Sequence, residues 1–172
     1  MFRKLMTGAL ALVAGVAAAC EEAPRSTVTF MRPGGLEPFL AGIAAAGPLL
    51  VETVGPDIPR EVARFTADTV AAALKGRMVA TTPDPARATH PEFRVRVTYD
   101  APASFNPNRL CAGEVPVAER TGDRLQVLAV FCQGEVLHAA LIGSAPRPGS
   151  LTDDSVGKLL AQMARQMFSE SA

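Results

Sequence analysis

Two histidines are the natural proton-transfer candidates of this 172-residue chain, and neither comes with a partner at catalytic spacing. His90 stands before Pro91 in a proline-rich stretch and reads as a solvated turn residue. His138 lies within EVLHAALI, on the apolar side of a strand pattern, where a satisfied structural histidine is favoured over a ligand or general base. Arg94 and Arg96 alternate with Val95 and Val97, so two guanidiniums share one strand face beside Thr98. Together with His138 they are the candidate binding surface, although a solvated sheet face explains the arginines equally well. Gly143-Ser144-Ala145 lacks the GxSxG elbow that exposes a nucleophile, and HExxH, P-loop and dinucleotide fingerprints are absent. Asp153 and Asp154 suit the positive end of a helix dipole better than paired catalysis. Gly34-Gly35 reads as a turn before it reads as an anion-binding nest. The sequence therefore assigns no catalytic residue, no metal ligand and no cofactor.

The elements that must carry these residues follow from periodicity. Phe93 to Tyr99 alternates cleanly and predicts a half-buried strand. Arg124–Cys132 and Glu135–Ile142 predict an antiparallel hairpin closed by Gln133-Gly134, which sets Ala129 against His138 and Phe131 against Val136. Both faces of that hairpin are apolar, so it belongs in the middle of a sheet. Shorter strands are expected at Thr27–Met31 and Leu49–Val54, with a helix over Leu36–Ala46 between them, and a surface loop over Gly143–Ser150. Two helices are strongly amphipathic. Ile58–Lys75 puts Val62, Phe65, Thr66, Val70 and Leu74 on one side, and Asp153–Phe168 does the same with Val156, Leu159, Leu160, Met163 and Met167. The expected fold class is α+β, a mainly antiparallel sheet with two amphipathic helices packed on one face.

The first twenty residues are an address. Arg3 and Lys4 precede an apolar run, Leu5 to Val16, that is shorter than the roughly 20 residues a bilayer-spanning helix needs. Ala17-Ala18-Ala19 offers small residues for cleavage, which a plain secretory signal would also use. Cys20 follows at once, and the whole stretch resembles the lipobox signal of bacterial lipoproteins, with Ala17 where that motif usually carries Leu. The resemblance implies cleavage before Cys20, a diacylglyceryl group on its sulfur and acylation of its amine. Several acyl chains on one residue give stable anchoring where one would not. The chain then divides into a signal peptide over 1–19, an acylated N-terminus and tether over 20–27, and a single periplasmic α+β domain over 28–172.

With Cys20 lipidated, Cys111 and Cys132 remain as an even pair in an oxidising compartment, which predicts a disulfide. A hairpin turning at Thr121-Gly122 would set them on a non-hydrogen-bonded pair, within disulfide range, although Pro116 would interrupt such a strand. Of 17 basic side chains, Arg3 and Lys4 leave with the signal, so 15 face 17 acidic ones and no basic excess points to nucleic acid. The expected partners are the membrane, through the lipid at Cys20, and an envelope protein. The expected function is that of a membrane-anchored lipoprotein, in the inner or the outer membrane, with a non-catalytic periplasmic domain for binding or envelope assembly. The alternative is a small periplasmic enzyme or ligand-binding lipoprotein using His138 and nearby loops.

Overall fold

Strand β1 (Arg25–Met31) leads through helix α1 (Glu37–Ala46) to β2 (Leu49–Thr53), and α2 (Arg60–Ala73) crosses to a short β3 (Thr81–Thr82) and to β4 (Phe93–Tyr99). A short helix α3 (Pro107–Cys111) precedes β5 (Arg124–Gln133), β6 (Val136–Pro146) and the final helix α4 (Asp154–Met167). This computed structural model describes residues 23–120 and 122–169; the stretch 1–19 expected to be a signal, Cys20 and Thr121 lie outside them. The strands form one six-stranded sheet in the order β1-β6-β5-β4-β2-β3. Pairings from β1 to β4 are antiparallel, whereas β2 runs parallel to both β4 and β3. The sheet is thus mixed, an α+β fold with an antiparallel majority. Its parallel part follows from α2, since parallel neighbours need a crossover and an amphipathic helix supplies one that also covers the sheet.

The first face of the sheet carries the main core. Leu36 at the N-cap of α1, Leu40 and Ile43 within it, Val62 and Val70 from α2, and Leu159, Leu160 and Met163 from α4 meet Val51, Val97, Ala129, Phe131 and Leu141 there. Three helices share this face. The α1 pattern is weak because alanines dominate it; its two buried side chains, Leu40 and Ile43, with Leu36 at the N-cap, suffice to seat it. Burial pushes the Tyr99 phenol up to about 12, and its hydroxyl lies 2.9 Å from Thr66 Oγ1 of α2, which satisfies both groups in the core.

Three boundaries differ from expectation. β1 starts at Arg25, inside the segment read as tether, because Arg25 and Ser26 pair with Ser144 and Gly143, and the Ser26 hydroxyl donates to Gln166 of α4 at 2.6 Å. An edge strand this polar leaves little periodic signal. β6 continues through Gly143 to Pro146, where a surface loop was expected. Gly143 faces α4 so closely that an added Cβ would lie 2.5 Å from Met163 Sδ and 2.9 Å from Leu159 Cδ1. Gly143→Ala is expected to lower stability by about 1–2 kcal/mol, softened by the flexible methionine, and urea unfolding measures it.

The third difference is the hairpin register. Gln133 pairs with Val136, so the loop is Gly134-Glu135, one residue later than expected. Gly134 has φ 59°, the left-handed value that glycine supplies as the first central residue of a tight hairpin loop. Cys132 then pairs with Leu137 but Phe131 with Ala139, which leaves His138 as the extra residue of a β-bulge. A bulge sends two successive side chains to one face. Both His138 and Ala139 accordingly meet the first-face core, while Leu137 and Ala140 meet the second.

Candidate functional site

The second face of the sheet is half covered. Residues 101–119 leave the end of β4, run across β4 and β5, and pack Phe105, Leu110 and Cys111 on Val54, Leu128, Val130, Cys132 and Ala140. Cys111 and Cys132 form a disulfide there, with Cα atoms 5.6 Å apart. The bond is the expected one, but its geometry is not: Cys111 ends α3 and is no strand partner of Cys132. Pro107 at the start of a helical turn and Asn106, whose side chain accepts from the Asn108 amide, specify that helix locally.

Arg94 and Arg96 do project from β4 toward this side, yet they are held within the fold. Arg96 pairs with Glu52 of the neighbouring β2 at 2.9 Å and donates to the Leu110 carbonyl, while Arg94 sits 3.5 Å from Glu52 and donates to the carbonyls of Cys111 (3.3 Å) and Gly134 (3.2 Å). The arginines add to the backbone bonds that already close the end of α3, such as Gly113 N–H to the Leu110 carbonyl at 3.2 Å, and cations at that end are favoured. The two arginines expected to form a binding surface therefore clamp the covering segment to the sheet. Their partner Glu52 follows an apolar run, and its pairing opposite Arg96 depends on the parallel register, which no local pattern reveals.

His138 is fully buried. Its Nδ1 lies 3.2 Å from Arg32 Nη1, and its ring stands edge-on to Phe39 at 4.9 Å and Phe131 at 6.2 Å. Since a guanidinium has donors alone, Nδ1 accepts and the ring proton sits on Nε2. Burial first, and the Arg32 charge second, hold the His138 pKa below its ordinary value. The sign of the linkage follows. Below about pH 6.5 the unfolded chain takes up a proton that the folded chain refuses, so the contribution of His138 is full above that pH and is lost on acidification through the lower folded value. The slope is at most about 1.4 kcal/mol per pH unit, and His138→Phe is expected to flatten it between pH 5 and pH 7 in parallel urea titrations. His138 therefore stands apart from Arg94 and Arg96, on the other face, and the disulfide occupies both thiols of any Cys–Cys–His trio. His90, by contrast, is exposed and 3.1 Å from Glu92.

The arrangement missed in the sequence is Asp100. It is buried at the end of β4 with φ 54°, and both its oxygens meet Arg147, Oδ2 to Nη1 at 2.9 Å and Oδ1 to Nη2 at 3.0 Å. Arg147 also donates to the Arg124 carbonyl, and the Asp100 carbonyl accepts from Glu119. This fork fixes both ends of the covering segment at one end of the sheet. Asp and Asn are the side chains that tolerate a left-handed turn, the one local signal that could have singled it out.

Beside the fork lies an open groove of about 370 Å³, lined by Pro102, Phe105, Glu119, Gln126, Leu128 and Ile142. It is bounded by the covering segment on one side and opens over β6 on the other. Phe105, Leu128 and Ile142 give it an apolar floor, and Glu119 and Gln126 supply polar atoms at its edge. Such a volume suits a small apolar group or a protruding side chain.

No protein-family model matches the chain, and no curated protein matches it. Among solved structures, a PelC dodecamer from Paraburkholderia phytofirmans is similar over 85% of this chain and 98% of its own, with 12% identity and a TM-score of 0.45.

Proposed function

We propose that the chain is an exported bacterial lipoprotein whose periplasmic domain binds an envelope component without catalysis. The observation that supports it most is the Cys111–Cys132 disulfide, because a buried bridge stapling a fold belongs to oxidising compartments, as the signal ahead of Cys20 requires. The polar groups that chemistry would recruit are committed to the fold: Arg94 and Arg96 to Glu52 and α3, Asp100 to Arg147, His138 to Arg32. A periplasmic enzyme using His138 would need its ring in reach of a substrate, and the ring is enclosed by Phe39, Phe131 and Arg32. The groove and its apolar surroundings are what this domain presents outward.

The test is metabolic labelling with a fatty acid. Wild type should carry label and fractionate with membranes, and Cys20→Ser should lose both. Cross-linking in intact cells, read by mass spectrometry, should capture an envelope protein on the anchored form. A soluble, unlabelled wild type rejects the anchor.

A further inference from the structure

We propose that the uncovered half of the second face, over β6 and β1, together with the exposed rim of the covering segment at Val115 and Val117, is the surface that seats this domain on a lipid bilayer. The proposal rests on the anchor at Cys20. From Cys20 to Arg25, where β1 begins, there are five residue steps, and at about 3.3–3.6 Å each the tether reaches no further than about 18 Å. A domain held that closely must present some part of its surface to the membrane.

The position of the tether indicates which part. Arg25 pairs with Ser144, and Ser144 pairs with Gln126, which lines the groove. Two inter-strand spacings put the groove about 10 Å from the start of β1, well inside the reach of the tether. Thr27, two residues into β1, pairs with Ile142 of the groove floor. The described chain therefore starts β1 at the end of the sheet where the groove opens.

The same face carries exposed apolar side chains. Ile142 is 38% exposed, and Phe30, paired with Ala140 on the same side, is 43% exposed. Val115 and Val117 stand out from the covering segment at 51% and 83%, and Val117 is two residues from Glu119 at the groove edge. Apolar groups gathered on one side mark an interaction surface. A surface of this kind that is also tied to acyl chains has the bilayer interface as its nearest apolar phase, where side chains enter the headgroup and upper acyl region. The opposite face is covered over most of its area by α1, α2 and α4, with Val28 at its β1 edge and Val136 at the hairpin loop left exposed.

The chain has no native tryptophan, so single introduced tryptophans report position. Lipidated full-length Val117→Trp and Ile142→Trp would be reconstituted in phosphatidylcholine–phosphatidylglycerol vesicles carrying brominated acyl chains. Met78→Trp is the control, since Met78 is 88% exposed beyond α2 on the helical side. Quenching of about twofold or more at 117 and 142, with little at 78, is the expected result for side chains at the acyl boundary. Position 117 is so exposed that its substitution leaves folding intact, which keeps the test decisive if Ile142→Trp misfolds. Protein that floats with the vesicles but is unquenched at 117, as at 78, overturns the bilayer seat and leaves the anchor standing. Protein that fails to float overturns the anchor and the seat together.

Discussion

Cys111→Ala combined with Cys132→Ala is expected to lower the unfolding free energy by about 3 kcal/mol, which for a domain of this size moves Tm down by roughly 6–12 °C. The bridge joins residues 21 apart in sequence and restricts that loop in the unfolded chain. Its second effect is local. Residues 101–119 hold to the sheet through a small cluster of Phe105, Leu110 and the bridge itself, plus the carbonyls of Leu110 and Cys111 on Arg96 and Arg94. Without the bridge the segment opens more often than the sheet beneath it, so its amides should exchange with solvent before those of β5 and β6. Urea unfolding gives the first quantity and hydrogen exchange the second. A loss under about 1 kcal/mol with unchanged exchange would mean that the arginine clamp alone holds the segment.

Arg147→Met is expected to cost about 2–3 kcal/mol, because it leaves the Asp100 carboxylate in a buried position with its bidentate partner gone. The figure lies below that for a wholly buried pair since the Arg147 side chain is 26% exposed and Arg120 remains 3.9 Å from Asp100. Asp100→Asn keeps the left-handed turn and removes the charge, so it should cost less than Arg147→Met. The double variant should be more stable than the sum of the two single losses predicts, since no unpaired charge remains. Strict additivity in denaturant titrations would show that the fork contributes nothing beyond its separate parts.

These two devices also mark where the sequence was and was not legible. Elements with a strong period were plain: Phe93–Tyr99 and the helices seated by Val62, Val70, Leu159 and Met163 appear where the apolar pattern puts them, and the long hairpin forms with its loop shifted by one residue and β6 extended to Pro146. Features set by pairing between distant segments were not. Glu52 meets Arg96 because β2 lies parallel to β4, and Arg147 meets Asp100 because β6 ends beside β4 across β5. The alternating pattern of FRVRVTY correctly put the arginines on one side, but alternation cannot say that a disulfide-held segment will cover that side. The Cys pair was legible from compartment and parity, while its placement was not, since Asn106 and Pro107 start a helix in the stretch whose register with β5 predicts a strand. A one-residue bulge at His138 similarly shifted every pairing beyond it while keeping His138 on the apolar side.

We propose an exported, lipid-anchored domain stapled by the Cys111–Cys132 disulfide, and the intact mass of the unreduced protein extracted from membranes tests that proposal most directly. The predicted mass is that of a chain starting at Cys20, increased by a diacylglyceryl group and an N-linked acyl chain, with no further gain when a thiol-alkylating reagent is added before reduction. A chain that begins elsewhere, carries no lipid, or alkylates at Cys111 and Cys132 without reduction would contradict it.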